Sequence, residues 1–169
     1  VAENLMNLNC LTALRLIHHY GQAMKDRGAG GLIMMNSLAC LAGASTVSPY
    51  SAAKSYLMSL SEGLWHEFKP LGIDVVTVLA GATHTPAMMA SIPGFEGNDD
   101  LMPAEQVATE ALEFLGKGPV CVPGDNKQAA ASIMSPDRVE LINYMSKATA
   151  ELYELEAYDC TGVNFSKGM

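Results

Sequence analysis

A tyrosine and a lysine stand one helical turn apart in the stretch S-P-Y-S-A-A-K, residues 48–54. On a helix, residues four apart lie on one face, so Tyr50 and Lys54 would point the same way. A free tyrosine has a pKa of about 10 and is a poor base at neutral pH. A nearby ammonium group and the positive end of the helix dipole both favour the phenolate. The pair could exchange a proton with an alcohol or a carbonyl, although such pairs also arise by chance on helix surfaces.

Two more polar residues precede this pair at wide spacing. Ser37 lies thirteen positions before Tyr50, at the end of an apolar run that predicts a buried strand. Asn9 lies twenty-eight positions before Ser37, within a stretch of helical periodicity. Ligands of parallel sheets bind beyond the carboxyl ends of the strands, so Ser37 could reach the same pocket as Tyr50. The loop L-A-G-A-T-H-T-P, residues 79–86, follows a second predicted strand and would end at the same edge.

The elements that must position these residues alternate between helices and short apolar strands. Helices are predicted over residues 3–26, 49–69, 103–115 and about 135–155, and a short one within the long loop 80–102, around 86–90. Strands are predicted over residues 32–36, 73–79 and 120–122. Ser48 and Pro49 suit the N-cap and the first turn of their helix. This alternation favours one α/β domain with a parallel sheet covered by helices on both faces.

Composition excludes several classes of protein. The chain has 169 residues, 49% of them hydrophobic, and a net charge of -8. Nucleic-acid binding requires clustered basic residues, and the three arginines here are scattered. No apolar run approaches the roughly 18 residues of a membrane span, and no signal peptide is visible. The four cysteines lack CxxC spacing and are typical of reduced thiols, so we expect a cytoplasmic protein.

In these motifs and their spacing the chain resembles the short-chain dehydrogenase/reductase family, over about residues 7–155. The matching motifs are N-C-L-T-A-L-R-L with Asn9, I-M-M-N-S with Ser37, Y-S-A-A-K with Tyr50 and Lys54, and A-G-A-T-H-T-P. The resemblance implies a Rossmann-like, doubly wound parallel sheet. It also implies an oxidoreductase that uses NAD or NADP to interconvert a hydroxyl and a carbonyl on a small, possibly apolar molecule.

The resemblance assigns a catalytic role to each of four residues. Tyr50 would donate the proton in reduction and accept it in oxidation. Lys54 would lower the pKa of Tyr50 and hydrogen-bond the nicotinamide ribose. Ser37 would hold and polarise the substrate oxygen, and Asn9 would position a water that links Lys54 to solvent. Asn7 is a weaker candidate for that last role, because its spacing is two residues too long.

The loop after the second strand would contact the cofactor in such a protein. Gly81 and the backbone near Thr83 would approach the nicotinamide carboxamide, and the Thr85 hydroxyl would bind the cofactor. Ala80 stands where the family has proline, a change that removes no contacting group.

The family's Gly-rich phosphate loop has no counterpart in this sequence. R-G-A-G-G at residues 27–31 follows a helix and precedes a strand, which is the reverse of the required order. We therefore interpret residues 1–169 as the C-terminal two-thirds of a single domain, with the last three strands of its sheet. An alternative is a non-catalytic binding or scaffolding subunit. The isolated chain is expected to be inactive and to associate, because an apolar sheet edge would be exposed.

Three further expectations concern ligands and partners. The adjacent His18 and His19 point about 100° apart on a helix, so no metal site is predicted. The loop 86–102 is rich in methionine and suits an apolar lid over the substrate. The helices at about 3–26 and 49–69 are the ones that often form the subunit interface in the family, so we expect a homo-oligomer.

Overall fold

A computed structural model describes residues 2–91 and 101–133, together with 144, 147–149 and 151. The helices are α1 Ala2–Met6, α2 Thr12–Arg27, α3 Ser48–Phe68, α4 Pro86–Ser91, α5 Ala104–Phe114 and α6 Asn126–Ile133, with a π-helical turn at Asn7–Leu11 and 3-10 turns at Leu38–Cys40 and Lys69–Leu71. The strands are β1 Gly30–Ser37, β2 Ile73–Ala80, β3 Thr83–His84, β4 Met102–Pro103 and β5 Val120–Cys121. Among these helices, none is both long enough and apolar enough to cross a bilayer.

The main sheet has three parallel strands in the order β1-β2-β5. Strand β1 pairs with β2 along its whole length, from Gly30 opposite Ile73 to Ser37 opposite Ala80. Because both strands end at the same level, Ser37 and the loop that follows Ala80 lie at one carboxyl edge. The predicted parallel sheet is confirmed, and it brings the two predicted parts of the site to the same side.

Helices cover both faces of this sheet, as predicted. Alternate residues of a strand face opposite sides, which is why the strands are apolar almost throughout. One core cluster joins β2 and β5 to α5 through Val76, Val78, Val107, Ala111 and Cys121. A second cluster joins β1 to α2 and α3 through Ile17, Met34 and Leu57. Helix α3, which carries Tyr50 and Lys54, is thus fixed against the sheet by its own apolar side.

A turn rich in glycine sets the register of β1 against β2. Gly28 ends α2 with a φ of 66°, and Gly72 ends the turn before β2 with a φ of 72°. The Gly30 N–H donates to the Gly72 carbonyl at 3.2 Å, and a Cβ on Gly72 would overlap the Gly28 carbonyl oxygen. Glycine is needed at Gly72 for both its left-handed backbone and this close approach.

Three details differ from the sequence predictions. The helix predicted over residues 3–26 is divided by the π turn at Asn7–Leu11. Helix α3 begins at Ser48 itself, with Val47 as the N-cap residue and no side-chain cap bond, so the prediction that Ser48 caps the helix is wrong. Strands β3 and β4 were not predicted, because two residues are too few to show a periodicity; they pair in parallel, Thr83 with Met102.

Two predicted segments fall partly beyond the described residues. The long loop is described up to residue 91 and again from residue 101, and its predicted short helix is present as α4. The predicted helix over about 135–155 lies largely outside the described residues. Helix α6 precedes this segment in the chain, in a region for which the sequence predicted only mostly helical structure.

The helical segment formed by α1, the π turn and α2 has both buried and exposed apolar residues. Its inner side is buried through small or slender residues such as Cys10, Ile17 and Gly21. The same segment also exposes several large apolar side chains, which are Leu8, Leu11, Leu14, Leu16 and Tyr20. Leu8 is 67% exposed.

Candidate active site

Ser37 is the last residue of β1 and keeps an extended backbone, with φ -146° and ψ 153°. Its Oγ accepts the N–H of Ala39 at 3.2 Å and so begins the short 3-10 turn that follows. A hydroxyl that accepts one bond retains its own proton for donation. Ser37 can therefore offer an O–H to the oxygen of a molecule bound at the carboxyl edge of the sheet.

Tyr50 and Lys54 lie together at the start of α3. Tyr50 is the third residue of the helix and half-buried, within the first turn where the helix dipole is positive. The Lys54 Nζ lies 5.6 Å from the centroid of the Tyr50 ring, within the range of a cation–π contact. Both a positive charge and a positive dipole end therefore face the phenol, as the spacing of the two residues predicts.

Strand β1 binds Lys54 through both its side chain and its backbone. Its Nζ donates to the Met35 carbonyl at 3.0 Å, and its own carbonyl accepts from Asn36 Nδ2 at 3.2 Å. Burial lowers the pKa of the Lys54 ammonium below its usual value, and the neighbouring thiols of Cys40 and Cys10 partly offset this shift. Lys54 therefore releases its proton more readily than a surface lysine.

Asn9 lies in the π turn that interrupts the first helix. In this turn the Thr12 N–H donates to the Asn7 carbonyl, five residues back instead of four. The Asn9 side chain is half-buried and donates from Nδ2 to the Leu5 carbonyl at 3.0 Å, whereas Asn7 is exposed. Asn9 and Met35 line one groove of about 390 Å³ beside β1.

The π turn also packs against the start of α3. The Cys10 thiol lies 3.8 Å from the Ala53 carbonyl, directly before Lys54. The residue that follows Asn9 thus touches the helix turn that carries the lysine. The structure brings Asn9 to the neighbourhood of Lys54, and its amide is bonded within its own helix.

The loop after β2 carries the three residues that the family resemblance assigns to the cofactor. Thr83 Oγ1 donates to the Gly81 carbonyl at 3.0 Å, and Thr85 Oγ1 accepts the Met88 N–H at 3.1 Å. These bonds shape the loop and leave each hydroxyl with further hydrogen-bonding capacity. A Cβ on Gly81 would overlap Asn126 Oδ1, so glycine lets the start of α6 close over this loop.

Sequence reasoning missed two residues that position the site. Asn36 is 5% exposed and bonds to both Ser37 and Lys54. An amide within the apolar run I-M-M-N-S was the available signal, because a buried polar side chain must find partners. Asn126 was not singled out either, since only the fold brings it beside Gly81.

These elements define a Rossmann-like α/β fold with Ser37 at the carboxyl edge of its parallel sheet and the Tyr50–Lys54 pair on the helix packed against it. The chain belongs to the short chain dehydrogenase family, whose sequence profile matches residues 1–94. The match includes both strands β1 and β2 and all four residues of the predicted tetrad.

Curated relatives carry one recurrent name. The chain is 25% identical over 149 residues to a 7beta-hydroxysteroid dehydrogenase of Mediterraneibacter gnavus, covering 85% of this chain and 57% of the relative. It is 29% identical over 147 residues to the 7beta-hydroxysteroid dehydrogenase of Clostridium sardiniense, covering 86% of this chain and 56% of that one. The chain therefore spans little more than half the length of these relatives.

Solved structures show the same fold. A 7beta-hydroxysteroid dehydrogenase structure superposes with a TM-score of 0.71 at 25% identity, over 83% of this chain and 55% of that one. A short chain dehydrogenase from Burkholderia cenocepacia in complex with NADP gives a TM-score of 0.71 at 22% identity, over 86% of this chain and 60% of that one. The second likeness bears on the fold alone.

Proposed function

We propose that the protein is an oxidoreductase that uses NAD or NADP to interconvert a hydroxyl and a carbonyl group. Its membership of the short chain dehydrogenase family supports this class of activity. The observation that carries the proposal is the link through Asn36, which bonds both the Ser37 N–H and the Lys54 carbonyl, with the Lys54 Nζ beside the Tyr50 ring. One hydroxyl there can polarise a substrate oxygen while another exchanges a proton with it.

In the direction of reduction, the Tyr50 hydroxyl gives its proton to the substrate oxygen. The Ser37 O–H donates to the same oxygen and stabilises the negative charge that develops there. The Lys54 ammonium, 5.6 Å from the Tyr50 ring centroid, stabilises the phenolate that remains. In oxidation the phenolate takes the proton back.

The residues present fit the nicotinamide end of such a cofactor. Lys54 Nζ and the hydroxyls of Thr83 and Thr85 are donors and acceptors of the kind that ribose hydroxyls and a carboxamide require. The two threonines follow β2 at the edge of the sheet where Ser37 ends β1, and the Lys54 Nζ bonds Met35 two residues before Ser37. The cofactor, when bound, supplies or accepts the hydride.

We propose a bulky, apolar secondary alcohol or its ketone as the substrate. The curated relatives at 25–29% identity named above are 7beta-hydroxysteroid dehydrogenases. Met88 and Met89 of α4 are half-buried beside the loop after β2, where flexible apolar side chains suit a rigid ring system. A hydroxysteroid is accordingly the first substrate to test.

The role of the cluster can be tested by replacing Ser37 with alanine in the full-length natural protein. Ser37→Ala should lower turnover of a hydroxysteroid with NAD or NADP by about 10²-fold, because one donor to the substrate oxygen is lost. Ser59→Ala, at an exposed position of α3, is the matched control and should leave turnover unchanged. Cofactor consumption, measured by absorbance, gives both rates.

The alternative is a binding or scaffolding subunit without catalysis. The short coverage of the relatives, 57% and 56% of their lengths, keeps this alternative open. If the full-length protein turned over no secondary alcohol or ketone with either cofactor, the proposed activity would be wrong. The 169-residue chain can also be titrated with NADH and NADPH. The proposal places the phosphate-binding residues outside these 169 residues, so tight binding by this chain alone would contradict it.

We also propose that the protein is a cytoplasmic homo-oligomer. The exposed apolar residues of the first helical segment, Leu8 and Tyr20 among them, support association, and Tyr56 of α3 adds a further exposed aromatic ring. The described cysteines, Cys10, Cys40 and Cys121, are all free thiols, which supports a reducing compartment. Light scattering that gave the mass of a single chain for the full-length protein would contradict the oligomer.

A further inference from the structure

We propose that Asn36 is a positioning residue that holds Ser37 and Lys54 in their working arrangement. The inference rests on the proposed function, because it assigns a purpose to a residue that does not itself reach the reacting atoms. Asn36 is the penultimate residue of β1 and is 5% exposed. A buried amide is costly unless its hydrogen-bonding groups are paired, so its partners show what it stabilises.

The partners belong to three different parts of the site. Asn36 Oδ1 accepts the backbone N–H of Ser37 at 2.9 Å. Its Nδ2 donates to the Lys54 carbonyl at 3.2 Å and to Thr77 Oγ1 at 3.2 Å. Thr77 is fully buried in the central strand β2. One side chain therefore joins the catalytic strand end, the catalytic helix and the middle of the sheet.

These partners also fix the orientation of the amide. If the group were rotated by half a turn, Oδ1 would face the Lys54 carbonyl and Nδ2 would face the Ser37 N–H. Both contacts would then be repulsive. Aspartate fails for the same reason, because it would place a second oxygen against the Lys54 carbonyl. The site thus requires an acceptor on one side and a donor on the other, which among side chains of this length only asparagine provides.

The consequence for the chemistry is a fixed register between α3 and β1. Met35 and Asn36 are consecutive, and they bind the Nζ and the carbonyl of Lys54 respectively. A slip of α3 along β1 would move Lys54 and Tyr50 together, away from Ser37. The bond from Asn36 to the helix backbone opposes this slip, while its bond to Ser37 holds the other hydroxyl.

The test compares Asn36→Ala with Ser61→Ala in the full-length natural protein. Ser61 is a matched control, because it is also buried and also donates to a carbonyl of α3, that of Leu57 at 2.7 Å, but two turns away from Lys54. Both variants should melt at lower temperature. Only Asn36→Ala should lower kcat, by about 10- to 100-fold, since small displacements of reacting groups have effects of that size.

A second readout separates positioning from simple stabilisation. The ionisation midpoint of Tyr50 is measured by ultraviolet difference titration against the corresponding Tyr50→Phe protein. Displacement of Lys54 from the ring should move this midpoint to higher pH in Asn36→Ala and not in Ser61→Ala. The rising limb of the pH profile for alcohol oxidation should move in the same direction. Asn36→Ser, which retains one short donor, replaces Asn36→Ala if the latter does not fold.

The inference is wrong if the Asn36 variant, corrected for its folded fraction, matches Ser61→Ala in kcat and in the Tyr50 midpoint. A parental protein without any turnover would instead contradict the proposed function. The Tyr50 titration needs neither cofactor nor substrate, so it decides the role of Asn36 in that case as well.

Discussion

Tyr50→Phe is expected to lower turnover by about 10³-fold in the full-length natural protein, because the group that exchanges the proton is removed while the ring remains. The ring keeps its contact with Lys54, whose Nζ lies 5.6 Å from its centroid, so the local packing should survive. The expected signature is a loss in kcat with cofactor affinity close to the parental value. Steady-state rates and a fluorescence titration with NADPH measure the two quantities.

Tyr56→Phe supplies the control for this experiment. Tyr56 lies on the same helix and is 38% exposed, so its hydroxyl can be removed without touching the cluster. The turnover of the Tyr56→Phe variant should equal that of the parent protein. If Tyr50→Phe also retained near-parental turnover, the proton would have to come from another group and the assignment of Tyr50 would fail.

Lys54→Met should lower turnover by about 10²- to 10³-fold and move the pH dependence of alcohol oxidation to higher pH. Methionine is of similar length but removes both the charge beside the phenol and the Nζ bond to the Met35 carbonyl. Lys69→Met is a matched control at the other end of the helix. Lys69 also lies over an aromatic ring, with Nζ 5.2 Å from the Trp65 centroid, and its loss should leave turnover unchanged. Equal rates for Lys54→Met and Lys69→Met would contradict the role of Lys54.

The same substitution has a predicted effect on stability, with a definite dependence on pH. Burial lowers the pKa of Lys54 in the folded protein, whereas the unfolded chain keeps a value of about 10.4. The charged form therefore costs stability below the folded-state pKa, and this cost disappears as the pH rises towards about 10.4. Lys54→Met should gain unfolding free energy relative to the parent at neutral pH and lose part of that gain at alkaline pH. Urea unfolding at two pH values measures this difference in unfolding free energy. A difference that grows with pH would contradict the predicted direction.

Much of this fold could be predicted from local chemistry. The β-branched run Ile73–Leu79 and the glycines around it determine a buried strand, and the structure has it as β2. The bounds of α3 were predicted to within one residue at each end, from Pro49 and from the apolar side of this helix that includes Leu57. The polar residues of the candidate site could be predicted because packing alone does not require polar side chains at Ser37, Tyr50 and Lys54.

Other features depend on contacts between distant parts of the chain. The bonds of Asn36 to Lys54 and Thr77 connect residues 18 and 41 positions apart, and no local pattern reports them. The exposure of Leu8 and Leu11 was equally hidden, because both have the same helical spacing as residues that are buried. Only the packing of Cys10 and Ile17 against the rest of the chain shows which side of the helix faces inward.

The π turn at Asn7–Leu11 has a consequence for how this sequence is aligned with others. Such a turn holds one residue more than the helix needs, and each residue of a helix rotates the chain by about 100°. A comparison that runs through this segment without a gap, against a relative whose helix is regular, would match side chains on different faces before position 7. Against such a relative the gap belongs inside Asn7–Leu11, and helix geometry then decides which of its residues is equivalent to Asn9.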